Sequence, residues 1–212
     1  MARVVRQARA AARAADNPET ASPELSSSPI GEMARRDPLT GIRNRAGILD
    51  ELFHEAEQAH RSGQPLAILL ADVDHFKAVN DQCGHDAGDQ VLCRIAQEMN
   101  RMVRKSDYLV RWGGEEFVLL CPATNLAAAQ RLAEKLRQRL EKVSWPEGLR
   151  VTLSVGVTIL GQEPIPQALK RADRALYDAK AQGRNCVVVL APPIPDSERP
   201  KEDDDSEILG GL

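Results

Sequence analysis

Three carboxylates stand beside apolar segments in a pattern that can bind a metal ion. Asp72 follows directly after the apolar run at residues 66–71, and Glu115 and Glu116 come just before a second run. If the two runs form neighbouring strands, the three acids meet at one edge of a sheet, where their repulsion favours a cation. Oxygen ligands suit Mg²⁺ or Mn²⁺, and Mg²⁺ commonly binds carboxylates together with substrate phosphates. The alternative is a set of ordinary surface acids flanking two strands.

A glycine pair and a pair of cations each allow two interpretations. Gly113 and Gly114 suit a hairpin turn because glycine tolerates positive φ, and their bare backbone also lets a ligand approach closely. Lys180 and Arg184 lie four residues apart around the end of a predicted helix. They can stabilise the helix C-terminus, which the residues alone favour. They can also bind phosphates, since arginine binds them bidentately and lysine as a point charge.

The elements that position these residues follow from hydrophobic patterning. The continuous apolar run at residues 66–71 is typical of a strand buried on both faces. Apolar positions at 3.6-residue spacing predict the later helices, and the glycine pair predicts a hairpin. We predict a helix over residues 46–60, strands over 66–71, 108–112, 117–121, 151–159 and 186–190, and helices around 91–103, 127–140 and 169–179.

After the first helix, this order contains a β-α-β-β-α-β core, the ferredoxin-like or palm-type arrangement. The predicted fold class is therefore α+β. Its central sheet is expected to be mostly antiparallel, with five strands, and to be flanked by helices. Fold alone does not give function.

Composition limits the kinds of partner. The chain has 212 residues and a formal net charge of −3, so it has no general attraction to nucleic acids or membrane surfaces. The four cysteines include no C-x-x-C pair, which predicts reduced thiols in a cytoplasmic protein. Zinc binding by Cys83 and His85 is disfavoured because no second ligand pair has suitable spacing. Neither a transmembrane segment nor a signal peptide is predicted.

Three segments are predicted along the chain. Residues 1–36 form an N-terminal helix and flexible linker, residues 37–190 a catalytic domain, and residues 191–212 an acidic disordered tail. Arginines make a basic stripe on the first helix, which we interpret as a solvated face or the end of a stalk rather than a surface for membranes or nucleic acids. No sensory domain fits in the first 36 residues.

Five sequence blocks, in order, resemble the GGDEF family. Residues 111–117 are similar to the signature that names the family, in its GGEEF form, and residues 72–81 match its D-x-D-x-F-K-x-x-N-D segment. Residues 84–89 match its G-H-x-x-G-D block. Residues 37–41 with Asn44 and Arg45 resemble its opening turn, and residues 172–185 its closing helix.

The resemblance implies a diguanylate cyclase, which condenses two GTP into cyclic di-GMP and releases two pyrophosphates. It implies two Mg²⁺ (or Mn²⁺) ions per active site, bound by Asp72, the Val73 carbonyl and Glu115, with Glu116 nearby. Glu115 is expected to help deprotonate the attacking 3′-hydroxyl, with Glu116 as a metal partner or alternate. Lys77 is expected to stabilise charge on the phosphates.

The resemblance also assigns the GTP contacts. Asn80 and Asp89 are expected to read guanine, because a carboxylate accepts hydrogen bonds from guanine N1–H and the 2-amino group, a donor pair that adenine lacks. Leu92 would line the base pocket, and His85 either touches substrate or is structural. The expected phosphate contacts are Phe76, Lys77, Lys180 and Arg184, with close backbone approach at Gly113 and Gly114.

Two regulatory features follow from the same resemblance. One such domain carries one GTP, so catalysis is expected to need a homodimer. Arg104 and Asp107 fit the family's R-x-x-D motif, which would bind cyclic di-GMP and inhibit the enzyme; a helix-ending arginine and a nearby aspartate are the plain alternative.

Two other functions compete with an active cyclase. One is a binding module that senses GTP or cyclic di-GMP without turnover. The other is a palm-type nucleotidyltransferase acting on nucleic acid, which the acidic balance and the lack of an extended basic groove disfavour.

Overall fold

The computed structural model describes residues 29–193. Most of the predicted N-terminal segment at residues 1–36 and most of the predicted acidic tail lie outside this range. Between residues 29 and 193, no helix has the length and apolar character needed to cross a bilayer.

The described chain alternates helices and strands around one sheet. The helices are α1 (Pro29–Ala34), α2 (Leu49–Ser62), α3 (Phe76–Cys83), α4 (His85–Asn100), α5 (Leu126–Glu141) and α6 (Ile165–Ala181). The strands are β1 (Arg43–Asn44), β2 (Ala67–Val73), β3 (Tyr108–Gly113), β4 (Glu116–Cys121), β5 (Leu153–Ile159) and β6 (Val187–Val189).

The sheet has the order β1-β3-β4-β2-β5-β6, and its three central pairings are antiparallel. The two outer pairings, β1 with β3 and β5 with β6, are parallel. The predicted α+β class and mostly antiparallel sheet are confirmed. The predicted number of five strands is corrected to six, because β1 has only two residues and so carries no period-two pattern for a sequence to reveal.

The sheet is covered on both faces, which explains the continuous apolar run of β2. Leu69 and Ala71 face a core formed with α3, α4 and α5, whereas Ile68 and Leu70 face a core formed with α2 and α6. All seven residues of β2 are buried. Alternate side chains along a strand point to opposite faces, so a strand covered on both faces must be apolar throughout.

Helix α6 crosses β5 at very short range. A Cβ at Gly156 would collide with backbone atoms of Ala172 and Leu176, so only glycine fits at this point of β5. This close packing fixes the position of α6 over the sheet. It thereby sets where the polar residues of α6 stand relative to the end of β2.

A buried acid joins α4 to α5. Glu98 is 1% exposed and pairs with Arg94 of α4, with Arg101 just after α4 and with Arg139 of α5, at 2.8 to 3.1 Å. A buried carboxylate is tolerated only when paired and hydrogen-bonded. The three arginines satisfy both of its oxygens.

Candidate active site

The end of β2 brings three predicted acids to one edge of the sheet. Asp72 is paired in register with Glu116, and the Val73 N–H donates a hydrogen bond to the Glu115 carbonyl at 3.3 Å. The hairpin turn at Gly114 and Glu115 therefore sits directly beside the last residues of β2. Both Gly113 and Gly114 have positive φ, at 158° and 57°, and the second lies in the left-handed region that favours glycine.

Lys180 stands at the same edge. Its Nζ lies 2.7 Å from Asp72 Oδ2, and the Asp72 side chain is almost completely buried. Lys180 therefore contacts the carboxylate that was expected to bind metal, rather than only the end of its own helix. Arg184 lies beyond α6 in an exposed turn with a φ of 65°.

Burial sets the electrostatics of this edge. It raises the pKa of Asp72 to about 6, because the loss of hydration outweighs the opposing effect of Lys180. The charges of Glu115 and Glu116 raise it further. Burial also raises the pKa of Glu116. Lys180 thus only partly offsets the burial of these carboxylates and their mutual repulsion.

Asp173 belongs to the same cluster, and sequence reasoning missed it. Burial raises its pKa, and its charge raises that of Glu116. Asp173 precedes Lys180 by seven residues, two helical turns on one face of α6. The seven-residue spacing could therefore have indicated Asp173 from the sequence, once Lys180 had been assigned to the site.

The donor atoms at this edge fit a hard divalent cation. Asp72, Glu115 and Glu116 offer only oxygen, which Mg²⁺ and Mn²⁺ prefer. Burial, and then the charges of Glu115 and Glu116, raise the pKa of Asp72, so a cation beside this carboxylate would favour its charged form. No group of three or more His, Cys, Asp or Glu residues in the described range is already arranged to hold a metal. The metal-binding roles of these residues, including the Val73 carbonyl, stay predictions.

The raised pKa of Asp72 predicts a pH-dependent stability without divalent metal. Between about pH 4 and pH 6, the folded chain retains a proton at Asp72 that the unfolded chain releases. Rising pH across this window should therefore lower the free energy of unfolding, by up to ~3 kcal/mol. Urea unfolding in EDTA, from pH 4 to pH 7, should show a steeper decline for the unaltered protein than for Asp72→Asn. Parallel pH curves would contradict the assignment.

Two consecutive helices, separated by a single residue, follow β2 and carry the residues expected to bind GTP. Helix α3 begins after His75, whose φ is 55°, and α4 begins after Gly84, whose φ is 82°. Phe76 is buried at the start of α3, and Lys77 beside it is exposed. The first backbone N–H groups of a helix have no partner within the helix, so those of Phe76 and Lys77 are suited to contact an anion.

The two residues expected to read guanine lie on facing helices. Asn80 on α3 packs against Gly88 on α4, where a Cβ would collide with the Asn80 amide. Asp89 is the next residue and is exposed. The close contact of α3 with α4 thus sets Asn80 and Asp89 in one neighbourhood. His85 is exposed at the start of α4, whereas Leu92 is buried in the core beneath it.

Asp74, the second acid of the D-x-D segment, is a structural residue. It is 4% exposed and accepts hydrogen bonds from the hydroxyls of Thr152 and Ser154 and from the Asn185 N–H, at 2.6 to 3.0 Å. It therefore ties β5 and the turn after α6 to the end of β2. Asp74 comes just after the last residue of β2, and its hydrogen bonds separate its role from that of Asp72, which contacts Lys180 instead.

Arg111 supports the hairpin turn and was also missed as a site residue. Its guanidinium binds both carboxylate oxygens of Asp37 at 3.0 and 3.2 Å, and its Nε donates to the Gly114 carbonyl at 2.9 Å. Asp37 in turn accepts two hydrogen bonds from Thr40. The opening turn at residues 37–41 is thus connected to the glycine turn through a single arginine.

The R-x-x-D residues form a tight turn on a different part of the surface. The Arg104 N–H donates to Asp107 Oδ2 at 2.8 Å, and Oδ1 is buried without a hydrogen-bond partner within residues 29–193. The turn borders a cleft of about 310 Å³ beside α5, to which Arg131 and Lys135 also contribute. Sequence reasoning did not identify these two cations, which lie four residues apart on one helix face.

Known proteins resemble this chain over nearly all of the described range. A family model described as "Diguanylate cyclase, GGDEF domain" matches residues 34–186. The diguanylate cyclase DgcP of Pseudomonas aeruginosa is 44% identical over 162 residues, covering 74% of this chain and 24% of that protein. The response regulator PleD of Caulobacter vibrioides is 43% identical over 164 residues, covering 74% of this chain and 36% of that protein.

A solved structure shares the fold. The GGDEF domain of DgcB from Caulobacter crescentus, crystallised in complex with c-di-GMP, matches with a TM-score of 0.71 and 31% identity, covering 74% of this chain and 93% of that one. This chain spans about a quarter to a third of the length of the two curated relatives above.

Proposed function

This chain belongs to the GGDEF family, and we propose on that premise that it is a diguanylate cyclase that condenses two GTP into cyclic di-GMP. The observation that carries the proposal is the register of β2 against β4, which sets Asp72 opposite Glu116 beside the glycine turn. The same edge has Lys180 at 2.7 Å from Asp72. One relative, 44% identical to this chain over 162 residues, is named as a diguanylate cyclase.

In this reaction the 3′-hydroxyl of one GTP would attack the α-phosphate of the other, lose its proton and displace pyrophosphate. It therefore needs a base for that proton and positive charge around the triphosphate. Glu115, in the turn beside β2, is our choice for helping to deprotonate the hydroxyl, with Glu116 as alternate. Lys77, Lys180 and Arg184 would stabilise charge on the phosphates, and pyrophosphate would leave. Two bound Mg²⁺ or Mn²⁺ ions would stabilise the attacking and leaving oxygens. Asp72, Glu115 and the Val73 carbonyl would hold them.

Both GTP molecules must be in place before this reaction can occur. One domain provides one set of guanine and phosphate contacts, so a homodimer with two facing domains is proposed as the active form. The rate per protein chain should therefore rise with protein concentration.

The base is proposed to be recognised by Asn80 and Asp89, and Asp89→Ala should weaken GTP selectivity. Asp89 is exposed, so the change removes a guanine contact at little cost to the fold. We expect KM for GTP to rise about tenfold, with a smaller rise for inosine triphosphate, which lacks the 2-amino group. Asp86→Ala, an exposed acid three residues earlier on α4, is the matched control. An unchanged GTP-to-inosine-triphosphate ratio would contradict the role of Asp89.

Product is proposed to bind at the cleft beside α5. Arg104, Arg131 and Lys135 provide cations for the phosphates of cyclic di-GMP, and Asp107 provides an acceptor for guanine. This cleft is separate from the carboxylate edge, so bound product would inhibit from a second site.

The proposed function is tested by incubating purified protein with GTP and Mg²⁺ and separating the nucleotides by chromatography. Cyclic di-GMP whose formation rises more than linearly with protein concentration would support a dimeric cyclase. Absence of product at every concentration, with GTP or cyclic di-GMP still bound, would favour a sensor that does not turn over its ligand.

A further inference from the structure

The turn that follows α6 has an unusual backbone. Arg184 and Asn185 have φ angles of 65° and 46°, a region that residues with a Cβ seldom occupy. Asparagine tolerates it better than most, and arginine has no such preference. Two consecutive residues in this region persist only where surrounding contacts hold them. Three of those contacts are made by Asn185.

The Asn185 side chain bridges two charged residues of α5. Its Oδ1 accepts a hydrogen bond from Arg137 at 2.7 Å, and its Nδ2 donates to Glu141 at 3.0 Å. Arg137 is itself held by Glu134 and Glu141 at 2.7 and 2.8 Å and is mostly buried. The amide of Asn185 therefore faces partners that are already fixed.

The Asn185 backbone has a third anchor. Its N–H donates to Asp74 Oδ2 at 3.0 Å, and Asp74 is buried at the end of β2. One residue thus connects the turn after α6 to α5 and to the strand end that carries Asp72. Hydrogen bonds to charged groups are the stronger ones, and all three of these involve an ionisable partner.

Arg184 has no comparable anchor of its own. It is exposed, and within residues 29–193 no ion pair involves its guanidinium. Its direction is set by the backbone of the turn, where its N–H donates to the Ala179 carbonyl at 3.1 Å.

We propose that Asn185 is a positioning residue that holds the turn so that Arg184 binds the triphosphate of the substrate. The inference rests on the proposed function, in which Arg184 contacts the phosphates. Asn185 itself does not touch substrate. It lowers the cost of binding because the turn is ordered before the nucleotide arrives.

A double-mutant cycle on nucleotide binding tests this role. The probe is α,β-methylene GTP, which cannot release pyrophosphate, titrated by calorimetry with Mg²⁺ present. Asn185→Gly removes the side chain and still permits positive φ, and it should weaken binding about tenfold. In an Arg184→Ala background the same change should have no further effect, because the group it positions is gone. Gln182→Ala, exposed in the same turn, should bind like the unaltered protein.

If Asn185 only stabilised the fold, the binding affinities in this cycle would show a different pattern. The loss caused by Asn185→Gly would then be the same in both backgrounds, and that result would overturn the inference. Unchanged binding in Asn185→Gly, with Arg184→Ala weakened, would overturn it as well. Failure of the unaltered protein to bind the analogue would instead overturn the proposed function, and the role of Asn185 with it.

A second variant, outside the turn, covers the case in which Asn185→Gly unfolds. Arg137→Met removes one of the two side-chain bonds to Asn185 and leaves the turn sequence intact, although it also breaks the ion pairs of Arg137 with Glu134 and Glu141. It should weaken binding about threefold, again only when Arg184 is present. An equal loss in the Arg184→Ala background would overturn the inference.

Discussion

Asp72→Asn is expected to reduce cyclic di-GMP formation at least about a thousandfold, because stabilisation of phosphoryl charge by a metal ion is worth several kcal/mol. Asparagine keeps the shape of the side chain and can still accept a hydrogen bond from Lys180, so the contact at 2.7 Å need not break. What it removes is the negative charge that a divalent cation requires. The measurement is initial rate with saturating GTP and Mg²⁺.

Folding must be separated from chemistry in this variant. Asp50→Asn, an exposed acid on α2, controls for the loss of one negative charge. Thermal unfolding adds an independent readout: Mg²⁺ with nucleotide should stabilise the unaltered protein and the control more than Asp72→Asn. Turnover within tenfold of the unaltered rate in Asp72→Asn would remove Asp72 from the proposed metal site. The same result in Glu115→Ala would remove Glu115.

Long, strongly patterned elements were predictable from the sequence. The apolar run of β2 and the glycine-separated strands of the hairpin predicted the edge where Asp72 and Glu116 meet. Those features depend on local periodicity and turn chemistry. Strand β1 was not predictable, because two residues carry no period and their pairing with β3 is a tertiary contact.

Contacts between residues far apart in the sequence could not be predicted either. The residues alone favour a helix-end role for Lys180, and the packing of α6 over Gly156 brings it to Asp72. Asp37 and Arg111 are 74 positions apart, and neither residue alone indicates that the other lies within hydrogen-bonding distance. Asp74 and Asn185 are 111 positions apart. The residue types indicated which chemical groups were present, and the fold determined which of those groups lie in contact.

Arg104→Ala is expected to raise the inhibition constant for cyclic di-GMP by about tenfold to a hundredfold, because a hydrogen-bonded charge contact is worth about 1.5 to 3 kcal/mol. The initial rate before product accumulates should change less than about twofold. The measurement compares initial rates at increasing concentrations of added cyclic di-GMP. Lys142→Ala, which removes an exposed cation at the end of α5 outside the cleft, is the matched control.

The structure makes Arg104 a sharper test of the product site than Asp107. Asp107 Oδ2 accepts the Arg104 backbone N–H, so replacing Asp107 would disturb the turn as well as any ligand contact. The Arg104 side chain is exposed, and the turn is held by its backbone, so alanine preserves the turn. Loss of inhibition in Arg104→Ala therefore reports on the guanidinium itself. Inhibition that persists unchanged would mean that cyclic di-GMP acts elsewhere, most simply by competing with GTP at the carboxylate edge.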